Sequence, residues 1–297
     1  MKRLVDYFSV GLREKGIGET MGMEVETSFI DESGRPITLE RSQKFLLLLC
    51  NEYGWFAGKV RNNLLTSIFN RNGNRILYEL GRQNIELSSA PGDSIGVFLN
   101  TKEILEQMYE AGTRVGAFPL FQPILNTEEE LLVIPDERDA IWLELDGRDA
   151  LELLARISAV QFTVSVPLSK AIECLNKLGE KVELFLEDYP QEEYWNKYIW
   201  RSKAKYHSMR YGGPLFFSCL EEYCSELIRH DVVIGSKLVP CNQVTNLDVP
   251  LYLRSIWWYF RLRRYDDSLC IEVRPFGRWS DDKLAEQMKL VFSILDS

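Results

Sequence analysis

Apolar and polar positions alternate with period two through "GMEVETSFI", Gly22 to Ile30, which predicts a strand over residues 21–30. Helical spacing runs over 39–52, "LERSQKFLLLLCNE", and over 94–114, where Asp93 or Ser94 follows "SAPGD" as a helix cap. Short strands are expected across 55–90, broken by the turn signals "RNGN" and "GRQN". Residues 1–15 read as helix, and 121–150 as an acidic, irregular surface excursion. A strand at 157–167, helical stretches near 169–188 and 216–230, strands near 261–275 and a helix at 280–295 follow. The stretch "VPLYLRSIWWYF", 249–260, is apolar on all sides and reads as either helix or strand. Buried core and interface both suit its Trp257 and Trp258. No internal repeat, low-complexity segment or long Pro/Gly/Ser linker divides the chain, and no glycine-rich loop follows a strand. The pattern predicts one α+β domain over 1–297 with a largely antiparallel sheet, and argues against a Rossmann or P-loop fold.

Several of these strands carry acidic or amide side chains on one face. Glu24 and Glu26 lie two apart, so both leave the same side of their strand. At about 6 Å and an effective dielectric of about 20 they repel by roughly 3 kcal/mol. Glu86 faces opposite to Ile85 and Leu87, with Glu79 at the end of the preceding run. Gln161 and Thr163 share a face in "ISAVQFTVSV", and Glu272 and Arg274 share one in "LCIEVRPF". A sheet with one wet face would also alternate in this way. A wet face mixes Lys, Thr, Ser and Glu freely, however, whereas these positions supply five glutamates, one glutamine and one arginine. Hard oxygen ligands of this kind suit Mg²⁺, which would cancel the repulsion, and a forked guanidinium suits a phosphoryl group or carboxylate.

Composition narrows the classes. The formal net charge of -9 argues against nucleic acid as the main partner, and 45% hydrophobic residues suffice for a large core. Arg and Lys cluster in "RLRRY" (Arg261 to Tyr265) and "WRSKAKYHSMR" (Trp200 to Arg210), as solvated surface or as a hold for an anion. With two histidines, a multi-histidine metal site is excluded and a Ser-His-Asp triad finds little support; "HD" at His230–Asp231 lacks companions. Six cysteines without a C-x-x-C pair read as free thiols in a reducing compartment. No signal peptide and no apolar run of about 20 residues is seen, so a soluble, cytoplasmic protein without membrane contact is expected.

Five of these segments, in this order, resemble the glutamate–cysteine ligase family of the glutamine synthetase-like carboxylate–amine ligases. "GMEVETSFI" is similar to the family's G-x-E-x-E strand. "YELGRQNIELSSAP" is similar to the plant and proteobacterial L-E-P-G-G-Q-F-E-L-S-G-A-P, and "AVQFTVSV" to that branch's V-Q-V-N-L-D. "YHSMRYGGPLFFSCLEEY" resembles its S-M-R segment and following helix, and "RLRRYDDSLCIEVRPFG" its R-L-K-R-Y and Y-I-E-V-R runs. The chain departs from that pattern in several places. It is much shorter than the plant-type enzymes, it lacks the paired glycines near Arg82, and Thr163 and Ser165 replace Asn and Asp. "DDSLC" looks like an insertion.

The resemblance implies a curved sheet with helices on its outer face, the glutamine synthetase/guanido kinase-like catalytic domain. It implies ATP and two or three Mg²⁺ ions, with Mn²⁺ as a substitute. Glu24, Gln161 and Glu272 would surround the Mg²⁺ on the ATP phosphates, and Glu26, Glu79 and Glu86 a second ion nearer the substrate carboxylate. Arg274 would stabilise the γ-phosphoryl group in flight, and Arg261 and Arg210 would contact phosphate or substrate. The implied reaction joins a carboxylate to an amine through an acyl phosphate, most commonly glutamate to cysteine, with other amino acid or amine substrates open. A phosphotransferase of the guanido kinase-like fold and a non-catalytic Mg·ATP-binding homologue are the alternatives. Oligomeric state is not legible in the sequence.

Overall fold

A computed structural model describes residues 1–133, 137–204, 210–213 and 215–297. Its main sheet has nine strands: β1 (Met21–Ile30), β2 (Phe56–Ala57), β3 (Ser67–Phe69), β4 (Arg75–Tyr78), β5 (Asn84–Ser88), β6 (Phe118–Leu120), β7 (Ala159–Ser165), β8 (Phe260–Tyr265) and β9 (Ser268–Gly277). The order is β8-β9-β7-β1-β5-β4-β3-β2, with β6 beside the end of β1, and every pairing is antiparallel. The expected α+β class with a largely antiparallel sheet is therefore what the chain adopts.

Period two fixes which face is core. Met21, Met23, Val25 and Phe29 of β1, Ile85 and Leu87 of β5, Val160, Phe162 and Val164 of β7, and Ile271 and Val273 of β9 are all buried. The helices are α1 (Lys2–Ser9), α2 (Leu39–Glu52), α3 (Ser94–Arg114), α4 (Glu137–Asp146), α5 (Arg148–Leu154), α6 (Ala171–Glu180), α7 (Val182–Leu186), α8 (Gln191–Arg201), α9 (Leu220–Leu227), α10 (Val249–Leu253) and α11 (Asp281–Leu295); α3 packs against β1 and α6 against β8 and β9 to cover that face. Asp93 does cap α3, accepting from the Gly96 amide at 2.9 Å. A second apolar cluster, built from Ala150, Leu151 and Leu153 of α5 with Tyr189, Trp195 and Tyr198, packs α5 against α8.

The structure differs from the sequence pattern in places. The acidic span 121–150 holds α4 and the start of α5, because Leu145, Ala150 and Leu151 bury one helical face that the surrounding charge obscures; residues 134–136 within it lie outside the described residues. The helix expected over 1–15 stops at Ser9, two residues before Gly11 takes φ 71°. The ambiguous 249–260 resolves into both types. Asp248 caps α10 through the Leu251 amide at 3.0 Å, and Trp257–Trp258 then form a short strand parallel to Tyr211–Gly212. "DDSLC" is a hairpin: Tyr265 pairs with Ser268 across Asp266 and Asp267, and Asp266 takes φ 52°. The basic stretch 200–210 lies partly outside the described residues. All six cysteines are free; Cys174, Cys224 and Cys270 are buried, Cys219 is exposed, and Cys50 and Cys241 lie between. No helix among the described residues is long and apolar enough to cross a membrane.

Close packing between α3 and the sheet depends on Gly112, where an added Cβ would stand 2.6 Å from the Ala117 carbonyl oxygen and 3.4 Å from the Phe29 ring. Helix propensity alone makes Gly→Ala stabilising by about 1 kcal/mol. A backbone carbonyl cannot swing aside, and overpacking of this kind costs about 1–3 kcal/mol. Gly112→Ala is therefore expected to lower Tm in a thermal melt; a raised Tm would show that the contact is looser than described.

Candidate active site

The uncovered face of the sheet gathers the polar side chains in register. Glu26 stands opposite Glu86 across β1 and β5, and Glu24 opposite Gln161 across β1 and β7. Glu272 lies opposite Thr163 on β7 and Arg261 on β8. Glu79 follows β4, its amide bonded to the Asn84 carbonyl at 3.1 Å, and shares a hydrogen bond with Glu86. The face has two ends of opposite character.

At one end, Glu272 is 4% exposed and surrounded by cations. Its Oε1 accepts from Arg261 Nη2 at 2.6 Å and Arg274 Nη1 at 2.5 Å, and its Oε2 lies 3.4 Å from Arg263 Nε. Burial works to raise its pKa, but Arg261, Arg274 and Arg263 together hold the carboxyl well below the usual range. Burial pulls Arg261 down to about 10 against the pull of Glu272. Arg261, 5% exposed, also donates to the Leu253 carbonyl at 2.7 Å and to that of Ile256, so most of its hydrogen-bonding capacity is used internally. Arg274 keeps 18% of its side chain exposed and reaches Gln161 Oε1 at 2.6 Å.

At the other end the carboxylates lack such cover. Glu26 accepts from the Ala159 amide at 2.8 Å and from Gln161 Nε2 at 3.2 Å, so Gln161 bridges Glu26 to Arg274. Burial, then Glu79, still pushes Glu26 up to about 8 against that amide. Burial and Glu272 push Glu24 up to about 7 against Arg274. Glu86 is raised well above the ordinary value by burial, then by Glu24 and by Glu79.

Among the described residues no group of three or more His, Cys, Asp or Glu stands ready to hold a metal ion. The carboxylates line the face rather than surround one point. The donor set nevertheless fits a divalent cation: hard oxygens only, mutually repelling, with Glu24, Glu26 and Glu86 pushed toward the protonated form by their surroundings. A cation would supply the positive charge that this cluster lacks.

Glu24, Glu26, Glu79, Glu86, Gln161, Glu272, Arg261 and Arg274 thus meet on one face. Arg210 is directed elsewhere: 1% exposed, it donates to Ser255 Oγ at 2.9 Å and to the Asp231 carbonyl. Sequence reasoning misses Arg263, although it alternates with Arg261 in "RLRRY" and period two would have found it. Tyr259 continues that alternation and pairs with Arg274, whose amide donates to the Tyr259 carbonyl at 3.0 Å. Tyr189 also faces this site, its pKa raised by burial and influenced by both Arg274 and Glu26; nothing in its local sequence signals that position.

No protein-family model and no curated protein sequence matches the chain. Solved structures share its fold, two of them as follows. The glutamate–cysteine ligase of Francisella tularensis, determined in complex with AMP, superposes with a TM-score of 0.53 at 13% identity, over 96% of this chain and 68% of that one. A bifunctional glutathione synthetase from Pasteurella multocida gives a TM-score of 0.53 at 11% identity, over 93% of this chain and 39% of that one. At such identities the likeness is one of fold, and the chain has the fold seen in glutamate–cysteine ligase.

The raised carboxylates give metal-free protein a definite pH response. A carboxyl that titrates higher in the folded state binds extra protons there, so its stabilisation is complete below the ordinary value of 4.5 and is lost as pH rises through about 7 for Glu24 and about 8 for Glu26. In EDTA, Tm is expected to fall between pH 6 and 8.5 by about 3 °C or more, the effect of roughly one pKa unit at one group. Mg²⁺ should restore it at pH 8.5. A Tm that is flat or rising over that range in EDTA would refute the uncompensated carboxylates.

Proposed function

We propose that the chain is an ATP-dependent carboxylate–amine ligase that forms an amide through an acyl phosphate. The observation that carries this reading is Arg274, held by Glu272 and Gln161 beside four uncompensated glutamates on one face of a sheet with the glutamate–cysteine ligase fold. Glu24, Glu26, Glu79 and Glu86, with Gln161 and Glu272 beside them, would hold Mg²⁺. Bound Mg²⁺ supplies charge neutralisation on the ATP phosphates.

A carboxylate does not condense with an amine until one of its oxygens can leave. In the proposed reaction that oxygen attacks the γ-phosphorus, an O–P bond forms, and ADP departs. The amine nitrogen then attacks the acyl carbon, the C–N bond forms, phosphate leaves with the C–O bond, and the nitrogen releases a proton. Phosphoryl transfer of this kind requires positioning and charge stabilisation rather than a nucleophilic side chain. Arg274 presents the forked donors, and Glu272 and Gln161 fix their direction before substrate arrives. Glutamate is the proposed carboxylate, with cysteine or another amine as acceptor. The six free thiols and the lack of a spanning helix among the described residues fit a reducing, cytoplasmic setting.

Incubation with Mg·ATP, glutamate and hydroxylamine tests the first half-reaction, because hydroxylamine converts an acyl phosphate into a hydroxamate that is read by colour and mass. Hydroxamate with stoichiometric phosphate release is expected; in a parallel incubation with a guanidino compound, ADP with a phosphorylated guanidine instead would place the chain among phosphotransferases. Arg274→Lys should lower kcat by about 10²–10³, since lysine lacks the fork. Glu272→Ala is a poor probe: removing the one carboxylate among three guanidinium groups should destabilise by about 3–5 kcal/mol.

A further inference from the structure

The open face of the sheet does not end at the carboxylates. One cross-strand row carries it outward. Glu24 on β1 is opposite Ser88 on β5, Ser88 opposite Arg75 on β4, Arg75 opposite Phe69 on β3, and Phe69 opposite Phe56 on β2, the last strand of the sheet. Directly opposed residues share a face, so Arg75, Phe69 and Phe56 stand on the same side as Glu24. The reverse side of these strands is core, where Ile68 and Ile76 are fully buried. At about 4.8 Å per strand the row runs about 19 Å from β1 to β2, the length of roughly six extended residues.

Phe56 and Phe69 are 40% and 42% exposed, with ring centroids 5.7 Å apart, and the Arg71 guanidinium lies 5.8 Å from the Phe56 ring centre. Arg71 and Arg75 are exposed as well. Between Tyr53 and Tyr78 the chain has Lys59, Arg61, Arg71 and Arg75 and no Asp or Glu, against a net charge of -9 for the whole. Basic residues on an outer strand are an ordinary guard against edge-to-edge pairing, and here they repel a second copy of the same edge. That guard accounts for Lys59 and Arg61. It does not account for two neighbouring phenylalanines left open on the face of the carboxylates.

We propose that this row binds an acidic polypeptide segment, with carboxylates on Arg71 and Arg75 and apolar side chains on Phe56 and Phe69, and leads it toward Glu24 and Glu86. A single amino acid covers about two strands of the row, whereas an extended polypeptide covers all of it. The adjoining hairpin turns at Asn62 and Asn63, both at positive φ, so its tip is polar and unsuited to entering a membrane. A nucleic acid carries a phosphate at every step and would set some against the glutamates at the inner end. A polypeptide can put each kind of side chain where it fits. Binding of the segment stands on the row alone; that one of its own carboxylates is then activated rests on the ligase reading.

Fluorescence anisotropy at physiological ionic strength tests this with two labelled peptides of about twelve residues, long enough to span the row. One is glutamate with leucine or phenylalanine at every third position, and the other has lysine in place of glutamate. The wild-type chain without ATP is expected to bind the glutamate peptide at least tenfold more tightly. Arg71→Glu combined with Arg75→Glu should erase that preference with Tm unchanged, and Phe69→Ser should weaken the glutamate peptide severalfold. Equal or tighter binding of the lysine peptide to the wild type overturns the proposal, as does a tighter hold on oligouridylate or on phosphatidylserine vesicles. With Mg·ATP and hydroxylamine, a peptide hydroxamate is expected, and Arg75→Glu should raise the peptide's KM while sparing kcat and turnover of free glutamate. Hydroxamate from free glutamate without peptide binding sinks this inference alone. Peptide binding with no hydroxamate from either source supports the row and sinks the ligase assignment.

Discussion

Like charges held together on a partly buried sheet face are the constraint from which the rest of this structure follows. Glu26 and Glu86 are direct cross-strand partners, a placement that weakens a sheet when both are ionised. The fold tolerates it because the opposite face is predominantly apolar and covered by α3 and α6. Burying one large apolar side chain contributes about 1.5–3 kcal/mol, and β1 alone buries Met21, Met23, Val25 and Phe29. Two faces of the same strands therefore work against each other, the apolar one holding in place what the acidic one would push apart.

Charge is not spread evenly over that face. Three arginines converge on Glu272, and the group is nearly closed on itself: Arg261 is buried, Arg263 is mostly covered, and Arg274 keeps the most open side. The geometry makes Glu272 the pivot that aims Arg274, and Gln161 extends the same chain of hydrogen bonds to Glu26. A guanidinium fixed in this way does not have to reorganise when charge develops nearby, which is how preorganised donors lower a barrier. The remaining glutamates are left with deficient countercharge, and the raised pKa values of Glu24, Glu26 and Glu86 express it.

Strand alternation made most of this face readable from the chain. Glu24, Glu26, Glu86, Gln161, Glu272 and Arg274 each sit in a run whose apolar neighbours point the other way, and period two carries them to one side without any knowledge of the pairing order. Arg263 obeys the same rule, but "RLRRY" as a basic cluster suits solvated surface and an anion site equally, and the resemblance singles out Arg261 alone. Arg210 follows no such alternation; only the S-M-R triplet points to it, and its guanidinium donates to Ser255 and to the Asp231 carbonyl. The α4–α5 region shows the converse. Its acidic residues dominate the pattern, while Leu145, Ala150 and Leu151 form the buried stripe. Tyr189 reaches the site only through the docking of α8 and the loop before it, a tertiary contact to which no local periodicity points.

In the ligase reading, the ends of the face impose an order on the chemistry. An amine attacks an acyl carbon only after losing its proton, so the acyl phosphate has to form first. The departing phosphate, close to Arg274 and gaining negative charge as it leaves, can accept that proton. Activation of the carboxylate and departure of phosphate would then both take place beside Arg274, whose direction Glu272 and Gln161 fix.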